Sequence, residues 1–481
     1  MKLIKYILIV LPLVLMSACA DNDTFSTSPS NRLTFSCDTV SLDTVFSKVP
    51  SSTRTLWVYN NSSDGLRCSS IKLQNGNQTG FRINVNGVYL GDAQGYQISN
   101  EEIRKGDSTR VYVEATLPVN NAEGPQLVSD DLIFTLESGV QQKLNLRAWS
   151  WDAEMLRDVT ISSDTIFTSD KPLVIYGGIT VNPNAKMTIP AGTTLYMHSG
   201  AYIDVYGTLA CQGEPSNEVV LRGDRLDNMF DYLKYDGVSG QWGGIRIHEG
   251  SYGNMLQYTD IHATESAIVC DSDNIDRNKL TLSASTIHNA KGYGISARDC
   301  RLDISNTQIT NTLFDCVNIS GGVTDINSCT IAQFYPFDGN RGAALYVEDD
   351  TTCVAPLAFT MRNSIVTGYA SDVLFVERRD TTSAILFDHC LLRTPEVADT
   401  VMCRNIIWED PKDTIVSGWK NFENIDTKNL RYDFRLKAES LAIGAADPLT
   451  SLPIDRNATW RDDKPDMGCY EREQQEETGK E

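Results

Sequence analysis

Leu256-Gln257-Tyr258-Thr259-Asp260-Ile261, Leu282-Ser283-Ala284-Ser285-Thr286-Ile287, Ile304-Ser305-Asn306-Thr307-Gln308-Ile309 and Ile326-Asn327-Ser328-Cys329-Thr330-Ile331 are four copies of one phrase. Each copy is an apolar residue, four mostly polar or small residues, then an isoleucine. The last three recur at 22-residue intervals at both anchors, and a third apolar position follows at Ile268, Ile295 and Val317. Three short apolar strands per turn of this length is the pattern of a parallel β-solenoid, whose coils bury their inner faces only by stacking on one another. Packing accounts for the regular apolar positions, so function is expected where the repeat breaks or points outward.

Working outward, the same texture begins near Val174. Ile179-Thr180-Val181, Met187-Thr188-Ile189 and Ile203-Asp204-Val205 alternate apolar and polar residues, with glycines expected at the corners. Residues 32–150 read differently. Thr55-Leu56-Trp57-Val58-Tyr59, Phe81-Arg82-Ile83-Asn84-Val85 and Thr109-Arg110-Val111-Tyr112-Val113 are short β-rich runs between Asn/Gly/Asp/Ser turns, as in an immunoglobulin-like sandwich. The expected architecture is all-β: an N-terminal β-sandwich (32–150) followed by a right-handed parallel β-helix solenoid (155–471). Trp149 and Trp151 are expected to pack at the junction.

The chain has 481 residues, 41% hydrophobic and 22% charged, with a net charge of -21. That balance suits a folded exported protein and argues against nucleic acid or anionic membrane patches as partners. It permits calcium, although no cofactor and no metal site is implied. Lys2 and Lys5 precede an apolar run from Tyr6 to Met16, then Ser17, Ala18 and Cys19. The run is too short to span a bilayer and reads as the core of a signal peptide, residues 1–18. Residues 472–481 read as a disordered acidic tail.

Ser17-Ala18-Cys19 resembles a bacterial lipobox, with Met16 where leucine is more usual. The resemblance implies cleavage after Ala18 and lipidation of Cys19, with residues 19–31 as a flexible tether. Asp21-Asn22-Asp23 resembles a surface-export signal of Bacteroidetes lipoproteins. Ile189-Pro190-Ala191-Gly192-Thr193, Gly207-Thr208-Leu209 and Trp242-Gly243-Gly244-Ile245 resemble right-handed parallel β-helix proteins of the pectin-lyase-like superfamily. So does the terminal Pro465-Asp466-Met467-Gly468-Cys469-Tyr470-Glu471. Leu42-Asp43-Thr44-Val45-Phe46 and the run from Phe81 resemble the N-terminal module of Bacteroidetes β-helix lipoproteins. Together these imply a lipid-anchored outer-membrane protein, facing the cell surface or the periplasm.

Two histidines occupy equivalent repeat positions: His262 and His288 each follow an anchor isoleucine. Both are expected to point outward from successive coils, about 5 Å apart. With Asp260, Glu265, Arg246 and His248 they would form a polar patch able to remove a proton from a uronate. Phe387-Asp388-His389 echoes a pectate-lyase segment. Two insertions, 224–241 (immediately before Trp242) and 334–341, carry aromatic residues suited to stacking on sugar rings, and Trp242, Tyr232, Tyr235 and Tyr335 are the candidate glycan-binding residues. Cys37 and Cys68 are candidates for one disulfide. The preferred reading is a non-catalytic glycan- or surface-binding lipoprotein. The alternatives are a polysaccharide lyase or hydrolase at the His262/His288 face, and an adhesion module for a protein partner.

Overall fold

A computed structural model describes residues 24–472 apart from 231, 350, 379–381 and 414. The signal-like segment, Cys19 and the tail from 473 lie outside the described residues. The chain forms two compact units, 1–152 and 153–481. Both are all-β, and among the described residues the only helices are short 3-10 turns.

The first unit is a sandwich of a five-stranded and a six-stranded sheet. Alternation puts Leu56, Val58, Val111 and Val113 into a shared core with Leu132, Phe134, Leu144 and Leu146. The strand Thr39–Phe46 runs parallel to Gln141–Trp151, whereas the other pairings are antiparallel. Three local expectations change here. Trp151 packs on Phe46 within this unit at 5.9 Å between ring centroids, and Trp149 is exposed. Within the stretch expected as a tether, Thr24 and Ser26 already exchange backbone hydrogen bonds with Gly65. Cys37 and Cys68 are both free thiols rather than a bridge. Cys68 fills the core, where burial pushes its thiol up to about 12, and Cys37 packs at the margin of the same cluster.

The second unit is the solenoid, built as three parallel columns of strands. The first column holds Asn254–Gln257, Asn278–Ser283, Arg301–Ser305 and Val323–Asn327; the second holds Thr259–His262, Thr286–Ala290, Gln308–Thr312 and Thr330–Gln333. The third holds Ile268–Cys270, Ile295–Arg298, Val317–Ser320 and Leu345–Asp349. The repeat anchors are stacks. Leu256, Leu282, Ile304, Ile326, Met361 and Phe387 stand in register in the first column. Ile261, Ile287, Ile309, Ile331, Val366 and Leu392 do so in the second. All twelve are nearly or fully buried.

The five-residue spacing of the anchors has a local cause. In an uninterrupted strand, residues five apart face opposite ways. Here one residue between the two strands, Tyr258, Ala284, Asn306, Ser328, Asn363, His389 or Asn405, adopts φ between 43° and 54°. That left-handed residue turns the corner and points both anchors inward. Asparagine tolerates the conformation best among non-glycine residues, and it supplies three of the seven corners, so this corner is built without the expected glycine. His389 is one of these corners, and its ring bonds Asp388 at 2.9 Å. The pectate-lyase echo around it is therefore a corner of the scaffold.

The final segment returns along the second column. Gly468 N–H donates to Asn363 O at 2.8 Å, Cys469 N–H to Thr330 Oγ1 at 3.1 Å, and Tyr470 O–H to Gln308 Oε1 at 2.8 Å. Gly468 has φ 97°, and a Cβ there would press on Thr330 and Ile365. The Pro-Asp-Met-Gly-Cys-Tyr string is thus a strap across rungs. A small second core, including Phe334, Phe422, Phe434 and Met467, seats the hairpin 422–436 on the outside of the second column.

If the anchor stacks hold the solenoid, Ile309→Ala should lower its stability by about 2–5 kcal/mol, while the outward Ser296→Ala should change it by less than about 0.5 kcal/mol. Guanidinium unfolding followed by circular dichroism measures both. Equal midpoints would mean the stacks are not the source of stability.

Candidate functional site

The outward positions of the second column form a polar strip, because alternation turns the residues on either side of each anchor isoleucine away from the core. Asp260, Thr286, Gln308 and Thr330 stand in one line, and His262, His288, Thr310 and Ala332 in the next. The His262 and His288 rings stack at 4.6 Å and 21°, close to the spacing expected from the repeat.

The two rings are not equally open. His262 is 4% exposed, because the insertion 224–241 folds over it. Its Nδ1 lies 2.9 Å from Asp260 Oδ1 and its Nε2 lies 2.8 Å from Asp236 Oδ1. Asp236 also meets Arg222 at 2.8 Å, and His288 Nε2 lies 3.3 Å from Asp260 Oδ1. Burial alone would push the His262 imidazole down, but Asp260 and Asp236 outweigh it and lift it to about 9. Asp260, which burial would raise, is held well below the usual carboxylate range by the two imidazoles. Asp236 is also lowered, against its own burial, by His262 and Arg222. His262 is thus clamped between two carboxylates, a poor geometry for a free general base. Asp260, His262 and His288 each offer one ligand atom, and the three atoms lie within 4.8 Å of one another.

Arg246 and His248 do not join this group. Arg246 sits in the third column, in register with Asp204 and Val269, and His248 directly follows the same strand. There His248 bonds Asp204 at 2.8 Å and stacks on Tyr206 at 4.0 Å, and Arg246 pairs with Asp271 at 2.9 Å. A neighbouring coil is not a neighbouring column, and the patch expected from sequence divides accordingly. Glu265 pairs with Lys291 at 3.2 Å instead.

The aromatic candidates also separate. Trp242 is 1% exposed, its Nε1–H donating to the His262 carbonyl at 2.8 Å, so it is core and not a sugar platform. Tyr335 is likewise buried, its hydroxyl 2.7 Å from Ser239 Oγ. Tyr235 is half-buried under the Arg225 guanidinium at 4.2 Å. Tyr232 is 63% exposed and stacks on Phe230 at 5.6 Å. It is the expected residue that faces solvent.

Between the insertion and the hairpin 422–436 lies a cleft of about 560 Å³, lined by Tyr232, Lys234, Asp236, His288, Asn289, Gln308, Thr310, Asn311, Arg431 and Tyr432, among others. Its floor is the polar strip itself. Asn311 Oδ1 and the Tyr432 hydroxyl are shielded from bulk solvent and have no hydrogen-bond partner within the protein. A second hollow of about 530 Å³ shares Tyr232, Leu233 and Leu430 with the first and is lined by Phe230, Pro336 and Phe337. The two form one trough, amide- and hydroxyl-rich at one end and aromatic at the other. Sequence reading missed Thr310, which shares the repeat phase of His262 and His288, Gln308, which shares that of Asp260, and Asn289 and Asn311, each one residue further along. It also missed the hairpin wall, which carries no repeat signal.

No family model and no curated protein matches the chain. Among solved structures, a GH87 α-1,3-glucanase catalytic unit from Streptomyces thermodiastaticus is similar over 70% of this chain and 73% of its own, at 11% identity and a TM-score of 0.27. A PapD-like domain of human CEP192 is similar over 27% of this chain and 92% of its own, at 14% identity and 0.17. A family 123 glycoside hydrolase from Clostridium perfringens covers 25% of this chain and 26% of its own, at 9% and 0.17. All three TM-scores are low, and the reading of function rests on the side chains of the trough.

The different burial of the aromatics is testable without any ligand. Trp242→Ala should cost about 3–5 kcal/mol of unfolding free energy, and Tyr232→Ala less than about 0.5 kcal/mol. Comparable losses in denaturant melts would contradict the assignment of Trp242 to the core and Tyr232 to the surface.

Proposed function

We propose that this protein is a cell-envelope lipoprotein that holds a glycan chain in the trough on the second column without cleaving it. The observation that carries the reading is the pairing of a shielded floor of amides and hydroxyls with an exposed aromatic pair. Asn311 and Tyr432 line the cleft, and their Oδ1 and hydroxyl have no partner in the protein; a side-chain rotation that opened them to the cleft would let a ligand satisfy them. Sugar hydroxyls supply such partners, and Tyr232 with Phe230 offers the flat apolar surface on which a pyranose face stacks. Glycoside hydrolysis ordinarily uses two carboxyl groups flanking the bond. Asp236 is the one carboxylate among the described residues lining the polar cleft, and it is engaged by Arg222 and His262. That arrangement favours binding over cleavage.

Glycan-array screening followed by calorimetry tests the proposal. Tyr432→Phe should leave stability unchanged or raised, since it removes an unpaired hydroxyl, yet weaken glycan binding about 5- to 10-fold. Tyr232→Ala should weaken it by about tenfold. Binding unaffected by either substitution would place the ligand elsewhere. Reducing ends or unsaturated uronate products, formed by the unaltered protein and lost in His288→Ala, would replace the binding reading with the enzymatic one.

The anchor belongs to the same proposal. Acylation at Cys19 would fix the mature chain to a membrane, and stable anchoring by acyl chains requires more than one of them. Cys19→Ala should move the protein from the detergent phase to the aqueous phase in a phase-partition experiment. Retention of the variant in the detergent phase would refute lipid attachment at this residue.

A further inference from the structure

We infer that Asp260, His262 and His288 form a binding site for one zinc-like divalent transition-metal ion at the edge of the trough. The inference is independent of whether a glycan binds there. Two features point to it. First, three ligand atoms converge from successive rungs: Asp260 Oδ1 lies 2.9 Å from His262 Nδ1 and 3.3 Å from His288 Nε2. Ligands about 2.0–2.1 Å from a tetrahedral zinc stand about 3.3 Å apart, so small side-chain adjustments suffice. Second, the outer groups of a metal site are already in place. A ligating histidine characteristically donates its other ring N–H to a carboxylate, which orients the ring and raises its basicity. His262 Nε2 does this with Asp236 Oδ1 at 2.8 Å, and the Arg222 guanidinium meets the same oxygen at 2.8 Å.

The ligand types select the ion. Two imidazoles and a carboxylate suit zinc and its neighbours, whereas calcium takes six to eight oxygen atoms. His288 lines the trough whereas His262 is buried beneath the insertion. The ion would therefore be held from below by His262 and Asp260 and reached from the trough side past His288. The backbone register also disfavours a chance arrangement. His262 and His288 are direct parallel partners, and Asp260 is the partner of Thr286 one step earlier on the same two rungs.

The test uses the full chain, freed of metal with a chelator and titrated with zinc by calorimetry, with surface thiols alkylated so that Cys37, Cys353 and Cys403 cannot compete. One equivalent should bind, and excess calcium should not displace it. His288→Gln and Asp260→Asn should each weaken binding by at least tenfold, and Asp236→Asn should do so by about 10- to 100-fold through the histidine it orients. Cobalt bound in place of zinc should give visible d–d absorption that disappears in His288→Gln. Melting curves verify that each variant is folded. Failure of the unaltered chain to bind zinc saturably, or equal zinc binding by the folded His288→Gln and Asp260→Asn variants, would overturn the proposal.

Discussion

The structure depends on parallel, in-register stacking of coils around a shared apolar interior. No single coil here can bury its three short strands; each is covered by the coils on either side of it. That requirement dictates a large apolar residue at the anchors and a left-handed residue between the first two strands of a coil. It also dictates that whatever stands at an outward position on one rung meets the corresponding residue of the next rung at close range. The terminal strap answers the same geometry, since a segment bonding Asn363, Thr330 and Gln308 in succession ties several rungs together.

Much of this was legible in the chain because the repeat couples sequence spacing directly to contact. Leu256, Leu282, Ile304 and Ile326 share a phase and hence a stack, and His262 and His288 share a phase and hence a ring contact. What was not legible lies outside the period. Arg246 and His248 precede the repeat, and nothing in their spacing shows that they belong to another column. Tyr232 sits in the insertion and Trp242 directly follows it, and the two have the same chemical appeal, yet the indole of Trp242 is used to satisfy the His262 carbonyl while Tyr232 reaches solvent. Burial of an irregular segment is decided by contacts far away in sequence, such as that between Ser239 and Tyr335. The wall of the trough supplied by 422–436 depends on a second core of Phe334, Phe422 and Phe434, which has no periodic signature at all.

In-register stacking also sets an electrostatic condition on any site built on this scaffold. Equivalent ionisable groups on successive rungs are forced together, so each needs a neighbour of opposite charge or a hydrogen-bond donor. Asp303 stands directly against Asp325, and its carboxyl is raised by burial and by that neighbour, against the pull of Arg301. Asn278 donates to Asp303 at 2.7 Å and Arg362 pairs with Asp325 at 3.0 Å, which relieves the pair. Glu348 stands against Glu377, and Ser320 and Tyr346 donate to them at 2.6 and 2.7 Å.

The histidine pair obeys the same condition with the signs reversed. Two imidazoles are held at 4.6 Å, and the fold sets the carboxylates of Asp260 and Asp236 around them. Asp236 comes from an insertion and not from the repeat. The repeat brings the nitrogen atoms together, and the break in the repeat delivers the carboxylate that orients the His262 ring. A site of this kind arises where a periodic column meets an aperiodic loop, because the column supplies closely spaced like groups and the loop supplies the asymmetry that distinguishes one rung from the next. His262 and His288 are chemically identical and one rung apart, yet one is locked between two carboxylates while the other borders the trough. That difference, made by a single folded-over insertion, is what turns a scaffold stack into a candidate site.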